Sequence, residues 1–187
     1  MLYTIVESFG HAGDDSWKNY LEWRGLNFKR FDSLDGMLRP SLFTPETVDD
    51  WDHVVCDNFM IDFMNDRDFA QRAHSRIGAG DLVGFTYEDH DQEDPGFLGY
   101  DIIDGYSDIS LITNWGNDVE IINRALASNA LLATIDDANR IHDYLINNHA
   151  KDPHVEDCKI ISIYSIPPTE NTKEGEQVGA GDAEEAV

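Results

Sequence analysis

Apolar residues alternate or run together in five short stretches of the chain, and this pattern predicts strands. The last stretch, CKIISIYSI, is almost continuously apolar or small, as in a strand that is covered on both faces. Three consecutive stretches in the middle are separated by turn residues, including Asp104–Gly105, and this order is typical of a meander. The five predicted strands are residues 2–7, 81–88, 96–104, 107–113 and 158–166.

Elsewhere, apolar residues recur at intervals of three and four and predict helices. Thr44–Pro45–Glu46 is a helix start, with a capping residue followed by proline at the first helical position. Val48, Trp51 and Val55 continue at helical spacing, although residues 53–64 fit a strand equally well. The other predicted helices, each with a capping residue at its start, lie within residues 14–25, 65–78, 117–126 and 134–145.

This order of elements predicts an α+β fold: a single domain with one mostly antiparallel sheet of about five strands and helices packed on it. The three consecutive strands would form a meander at the centre of the sheet. Residues 1–166 form the predicted globular domain. Pro167–Pro168 ends the last strand, and residues 167–187 have the polar composition of a disordered acidic tail.

The net charge of the chain limits which partners the protein can bind. The chain has 37 acidic and 13 basic residues, a formal net charge of −24. The tail carries six acids and one lysine, a net −5, so −19 belongs to the globular domain. Such a negative field repels nucleic acids and anionic membranes and attracts basic proteins and cations. We therefore expect a basic protein partner and neither nucleic acid nor membrane binding.

The location of the protein follows from what the sequence lacks. No apolar run approaches the roughly 18–20 residues that a membrane span needs. The N-terminal stretch has no basic region of the kind that opens a secretory signal, and two cysteines fit a reducing compartment. We expect a soluble cytoplasmic protein.

The stretch FTYEDHDQEDPGFLGYD holds the densest acidic loop, and aromatic residues follow it along the chain. Acids beside aromatic rings suit a protein interface, because rings supply buried area and acids steer a basic partner. The predicted partner-binding residues are Glu88, Asp89, Asp91, Glu93, Asp94, Asp104, Tyr106, Asp108 and Trp115. The same acids also fit a solvated hairpin tip.

A calcium loop is a competing interpretation of these acids. Asp89, Asp91 and Glu93 alternate like the first ligands of an EF-hand. The sixth position, however, is Asp94 where glycine is needed, and the twelfth is Tyr100 instead of a bidentate glutamate. The loop therefore favours a docking surface over a specific calcium site.

Two other patterns could carry metal chemistry. His53 and Cys56 have the spacing H-x2-C, and His154 and Cys158 have H-x3-C, so the four side chains could bind zinc if the two segments met. The pair His142–Asp143 resembles the metal-binding pair of some phosphohydrolases, which need further ligands from other helices. No nucleophile elbow or phosphate-binding glycine motif is present, and no cofactor is predicted.

The leading hypothesis is a non-enzymatic acidic protein that docks on a basic protein, as an immunity or inhibitor protein would. One alternative is a metal-binding protein or a metal-dependent hydrolase. Another is a housekeeping domain whose acidity is an adaptation to salt.

Overall fold

The structure is a computed structural model that describes residues 1–8, 16–57, 62–87, 94–104, 109–114 and 118–168, with only the backbone described at 16–18 and 56–57. The strands are β1 (Leu2–Val6), β2 (Val54–Asp57), β3 (Asp62–Met64), β4 (Asp81–Thr86), β5 (Phe97–Ile103) and β6 (Lys159–Ser165). The helices are α1 (Ser16–Trp23), α2 (Val48–His53), α3 (Arg67–Ile77), α4 (Val119–Ala125), α5 (Ile135–His149) and α6 (Pro153–Glu156).

The six strands form one antiparallel sheet in the order β2-β3-β1-β4-β6-β5, with helices packed on it. This confirms the predicted α+β class, with one strand more than expected. Strand β6 is buried on both faces, because Tyr164 packs in the cluster of α3 and β1 whereas Ile161 and Ile163 pack in another cluster. The almost continuous apolar pattern of β6 therefore reflects its position inside the sheet.

The predicted central meander is wrong. Strand β6 lies between β4 and β5, so the segment from Tyr87 to Gly96 does not join neighbouring strands. In the described part of the third predicted strand, residues 109–113, Ser110 forms an isolated bridge with Ile103, and a turn follows at 111–114. Ser110 is held by two buried carboxylates, through its backbone N–H and its hydroxyl, and these bonds replace a strand ladder.

Helix α2 begins and ends differently from the prediction. Its N-cap is Thr47, whose side chain accepts the N–H of Asp50 at 3.1 Å, and the helix ends at His53. The strand alternative for residues 53–64 is confirmed by β2 and β3. The prediction that Val48, Trp51 and Val55 belong to one helix is wrong, because Val55 lies on a strand, and Val48 and Trp51 are exposed.

Both ends of α3 and the start of α5 are as predicted, whereas α5 continues past its predicted range to His149. Asp66 caps α3 through the N–H of Phe69, and Gly78 ends it in the left-handed conformation. Thr134 caps α5 through the N–H of Asp137. At α4 the N-cap is Asp118, with φ of 59° and no capping bond from its side chain.

Gly99 is the position of β5 that tolerates a side chain least. It has φ of +146°, and a Cβ there would lie 2.8 Å from the Cβ of Leu131 and 2.9 Å from the oxygen of Leu132. We expect Gly99→Ala to lower the free energy of unfolding by about 2 kcal/mol, because it adds steric overlap to backbone strain. Urea unfolding measures this value.

Gly25→Ala is the matched control for this prediction. Gly25 also has a positive φ, +75°, but a Cβ there meets nothing within 4 Å. Only the conformational cost, about 1 kcal/mol, should appear in this variant. Equal losses in the two variants would show that the contact with Leu131 and Leu132 is unimportant.

Candidate functional site

An exposed apolar surface lies on α2 and on the edge strand β2 that follows it. The exposed fractions are 81% for Val48, 53% for Trp51 and 50% for Val55. In the described part of the chain, six large apolar residues are exposed by 44% or more, and half of them fall in the eight positions 48–55. Large exposed apolar residues grouped in this way mark interaction sites more often than scattered ones do.

The contacts of Asp50 explain why these side chains face outward. Asp50 is 2% exposed, and its carboxylate accepts the N–H groups of Glu46 and Thr47 and pairs with Arg76 at 3.3 Å. The hydrogen bond from Glu46 is the largest cause that lowers the pKa of Asp50, and partial burial opposes it. With Asp50 turned inward, Val48 and Trp51, three positions apart, share the outer side of the helix.

The stretch of sequence that carries this surface is acidic, although Arg76 of α3 pairs with Asp50 on the same helix. No lysine or arginine occurs between Arg39 and Arg67, whereas seven acids do. Asp49 and Asp52 are exposed beside Trp51 along α2. We call Val48, Asp49, Trp51, Asp52 and Val55 the edge surface. It combines an aromatic anchor with negative charge, the two features that were expected of a docking site.

A second feature is a pair of buried carboxylates, Asp35 and Asp101, each 1% exposed or less. The hydroxyls of Ser33 and Ser110 donate to Asp101 at 2.5 and 2.6 Å, and the hydroxyl of Thr113 donates to Asp35 at 3.2 Å. Backbone N–H groups complete the network. Those of Leu34 and Ile102 donate to Asp101, and those of Met37, Leu38 and Ser110 donate to Asp35.

These bonds fasten two irregular segments to β5, so the network has a structural role. Burial, and after it the negative charge of Asp101, raises the pKa of Asp35 to about 7. Burial also raises the pKa of Asp101, while the bonds from Ser110 and Ser33 oppose this. Every carboxylate oxygen of the pair accepts two donors, which fits a network closed on itself.

A cleft of about 760 Å³ lies between the segment after α1 and the ends of β4 and β6. Its buried cation, Arg39, donates to the backbone oxygens of Glu7 and Ser33 and pairs with Asp81 at 2.7 Å. Burial lowers the pKa of Arg39, and the charge of Asp81 opposes this. The polar contacts of Arg39 are thus bonds that hold the wall of the cleft.

The two segments that carry the predicted zinc ligands lie in different parts of the fold. His53 stacks on Phe69, with ring centroids 4.2 Å apart, and Cys56 lies in β2 opposite Phe63. His154 is in α6, and Cys158 directly precedes β6. Three strands separate β2 from β6, so the structure does not bring the two pairs together.

The thiol of Cys158 is also a poor nucleophile. Burial is the largest cause that raises its pKa, to about 11, and the negative charges of Asp104 and Asp157 add to this. The thiolate, which is the reactive form, is therefore scarce at neutral pH. His142 lies 3.3 Å from the carbonyl oxygen of Cys158, and Asp143 is exposed, so this predicted pair contacts the fold and solvent. Within the described ranges, no three histidine, cysteine or acidic side chains are grouped as metal ligands would be.

Two residues of the predicted partner-binding set are in the described part of the chain. Asp94 is exposed, and its carboxylate accepts the N–H of Gly96 at 2.7 Å. Asp104 is 1% exposed and lies 2.7 Å from Nδ1 of His154, so its carboxylate does not belong to an exposed acidic surface. The remaining seven lie outside the described residues: Glu88, Asp89, Asp91, Glu93, Tyr106, Asp108 and Trp115.

The edge surface was not predicted, because Val48, Trp51 and Val55 were interpreted as apolar residues at helical spacing, with a strand at 53–64 as the alternative. A signal for it exists in the sequence. Thr47 and Asp50 have the spacing of a capping box, which starts the helix at Val48. The following run of β-branched residues at Val54–Val55 ends it early.

The chain matches no family model, and no similar protein was found among curated proteins or solved structures. Among the described residues, none of the helices has the length and apolar character that crossing a membrane requires.

Proposed function

We propose that this protein is a non-enzymatic binding module that docks on a basic protein through the edge surface. The observation that carries the proposal is the exposure of Trp51 between two exposed valines, in a stretch of the sequence, residues 40–66, that has no lysine or arginine. Tryptophan is the residue type most often found at the energetic centre of protein interfaces. An immunity or inhibitor protein that neutralises a basic toxin in the cytoplasm is one role of this kind.

Charge supports a basic partner over an acidic or neutral one. The net charge of −24 steers cationic proteins toward the surface and repels anionic ones. Asp49 and Asp52 would add contacts beside the tryptophan, where they fix the orientation of the partner. The association rate should therefore fall as the salt concentration rises, since screening shortens the reach of this field.

The experiment that tests the proposal compares the two exposed tryptophans. Basic proteins retained by the immobilised wild-type chain are purified and titrated by calorimetry against wild-type, Trp51→Ala and Trp23→Ala proteins. We expect Trp51→Ala to raise Kd about 30-fold, which is the effect of an interface hot spot of about 2 kcal/mol. The association rate is measured at two salt concentrations in the same series.

Trp23→Ala is the matched control because Trp23 is 81% exposed on α1, outside the edge surface, where its ring lies near that of Tyr20, with centroids 6.2 Å apart. Its Kd should stay within about threefold of wild type, which is a change of less than 1 kcal/mol. The proposal is overturned if the retained proteins are neutral or acidic, or if both variants bind like the wild type. A stability that rises with salt, without any saturable partner, would instead support salt adaptation.

A further inference from the structure

The two edge strands of the sheet, β5 and β2, differ in whether other described segments of the chain hydrogen-bond to them. At the β5 edge, Tyr100 and Leu132 exchange two backbone hydrogen bonds of 2.8 Å, and Leu111 donates to the oxygen of Ile102 at 2.7 Å. The backbone N–H of Asp104 donates to the oxygen of Ile109 at 3.1 Å. Irregular segments of the chain thus occupy the β5 edge, which is no longer open to another strand.

At the β2 edge, the described residues leave the outer side open. Strand β2 pairs with β3 on one side, and no other described segment pairs with it. The register shifts between Val54 and Cys56, and Val55, the residue at this step, is half exposed. Unpaired backbone groups on an edge strand are a template for a further strand.

We propose that the basic partner binds by adding one of its own strands to β2, beside Trp51 and Val55. This inference rests on the proposed function and names its binding mode. An added strand would take its backbone hydrogen bonds from β2 and its side-chain contacts from the edge surface. Since β2 has four residues, the part of the partner that pairs with it is also about four residues long.

Charge decides which strand can occupy the edge. A second copy of this chain would bring its own acids against Asp49 and Asp52, and like charges facing one another disfavour that pairing. A segment in which basic residues alternate with apolar ones would instead be attracted to Asp49 and Asp52. Its apolar side chains can contact Trp51 and Val55, while its basic side chains lie near the carboxylates.

The probe that tests this mode is a capped octapeptide of alternating valine and arginine. Its control is the same peptide with the four central amides N-methylated, which keeps the charge and side chains but removes the N–H donors. We expect binding to the full chain to weaken at least tenfold on methylation, because two or more backbone hydrogen bonds are lost. Amide exchange at Val55, measured by NMR, should slow with the unmodified peptide only, whereas the N–H of Val54 already donates to the oxygen of Trp51 and serves as an internal control.

Each other outcome overturns strand addition. Equal affinity of the two peptides, still sensitive to Trp51→Ala, means docking without strand pairing and leaves the proposed function intact. Absence of binding by either peptide at 1 mM contradicts strand addition, while the function is judged separately by the purified basic partners. Slowed exchange at Val55 on raising the protein concentration alone would assign the edge to a second copy of the chain.

Discussion

Replacing Asp101 with alanine should lower the free energy of unfolding by about 3–5 kcal/mol at pH 7, measured by urea unfolding. Asp101 is fully buried on β5 and accepts four hydrogen bonds. Without its carboxylate, the hydroxyls of Ser33 and Ser110 and two backbone N–H groups would be buried without an acceptor. Each such donor costs about 1–3 kcal/mol when no rearrangement or water relieves it.

The matched control for this prediction is Asp143→Ala. Asp143 lies on α5 with 77% of its side chain exposed, so its removal should change the free energy of unfolding by no more than about 0.5 kcal/mol. The comparison separates loss of the buried network from loss of one negative charge. A loss below about 1 kcal/mol in Asp101→Ala would contradict the structural role of the network.

The same network explains part of what sequence patterns could and could not predict. Strands and helices were predictable where a local pattern decides, as in the cap of α3 at Asp66 and its end at Gly78. The burial of Asp101 was not predictable, because its partner Ser33 comes from an irregular segment and its partner Ser110 from a stretch whose pattern predicted a strand. A buried carboxylate depends on donors that are distant in sequence, and one sequence does not show which segments meet.

The order of the strands was unpredictable for a related reason. The meander was inferred because consecutive strands are usually neighbours, and that rule has frequent exceptions. Here β6, the most continuously apolar strand, takes the place between β4 and β5, where both of its faces are covered. The apolar pattern showed that β6 is covered on both faces, but it carried no information about which strands flank it.

The candidate site lies on residues that were not among the predicted partner-binding set, most of which is outside the described residues. An acidic surface with aromatic residues was expected around Asp104, and that carboxylate is buried beside His154. The edge surface around Trp51 has the expected character at another place. Helical spacing placed Trp51 on the apolar side of a helix. Asp50 takes the inward position instead, because its carboxylate accepts the N–H groups of Glu46 and Thr47 and also pairs with Arg76, which is distant in sequence.

The stability of the protein should also fall as the pH rises toward 7, because of Asp35. Its pKa is raised from 3.8 to about 7 in the folded protein by burial and by the charge of Asp101. Between these two values the folded chain holds a proton that the unfolded chain has released. The stabilisation from Asp35 is therefore complete below pH 3.8 and is lost as the pH rises through 7, a total of about 4 kcal/mol.

Asp35→Asn isolates this effect because asparagine does not titrate and all other groups are common to both proteins. Relative to this variant, the wild type should lose about 2–3 kcal/mol of unfolding free energy between pH 5 and pH 8, and most of the loss should come before pH 7. Urea unfolding at four pH values in this range measures the difference. Asp50, whose pKa is lowered, acts in the opposite direction and at more acidic pH, so it does not obscure the slope.

A difference between wild type and Asp35→Asn that stays constant with pH would contradict the raised pKa of Asp35. The charge of Asp101 supplies a further check on the cause. In an Asp101→Asn background, the pKa of Asp35 should fall because one of the two causes that raise it is removed, while burial remains. The midpoint of the pH dependence should then move below 7, and an unchanged midpoint would assign the whole shift to burial.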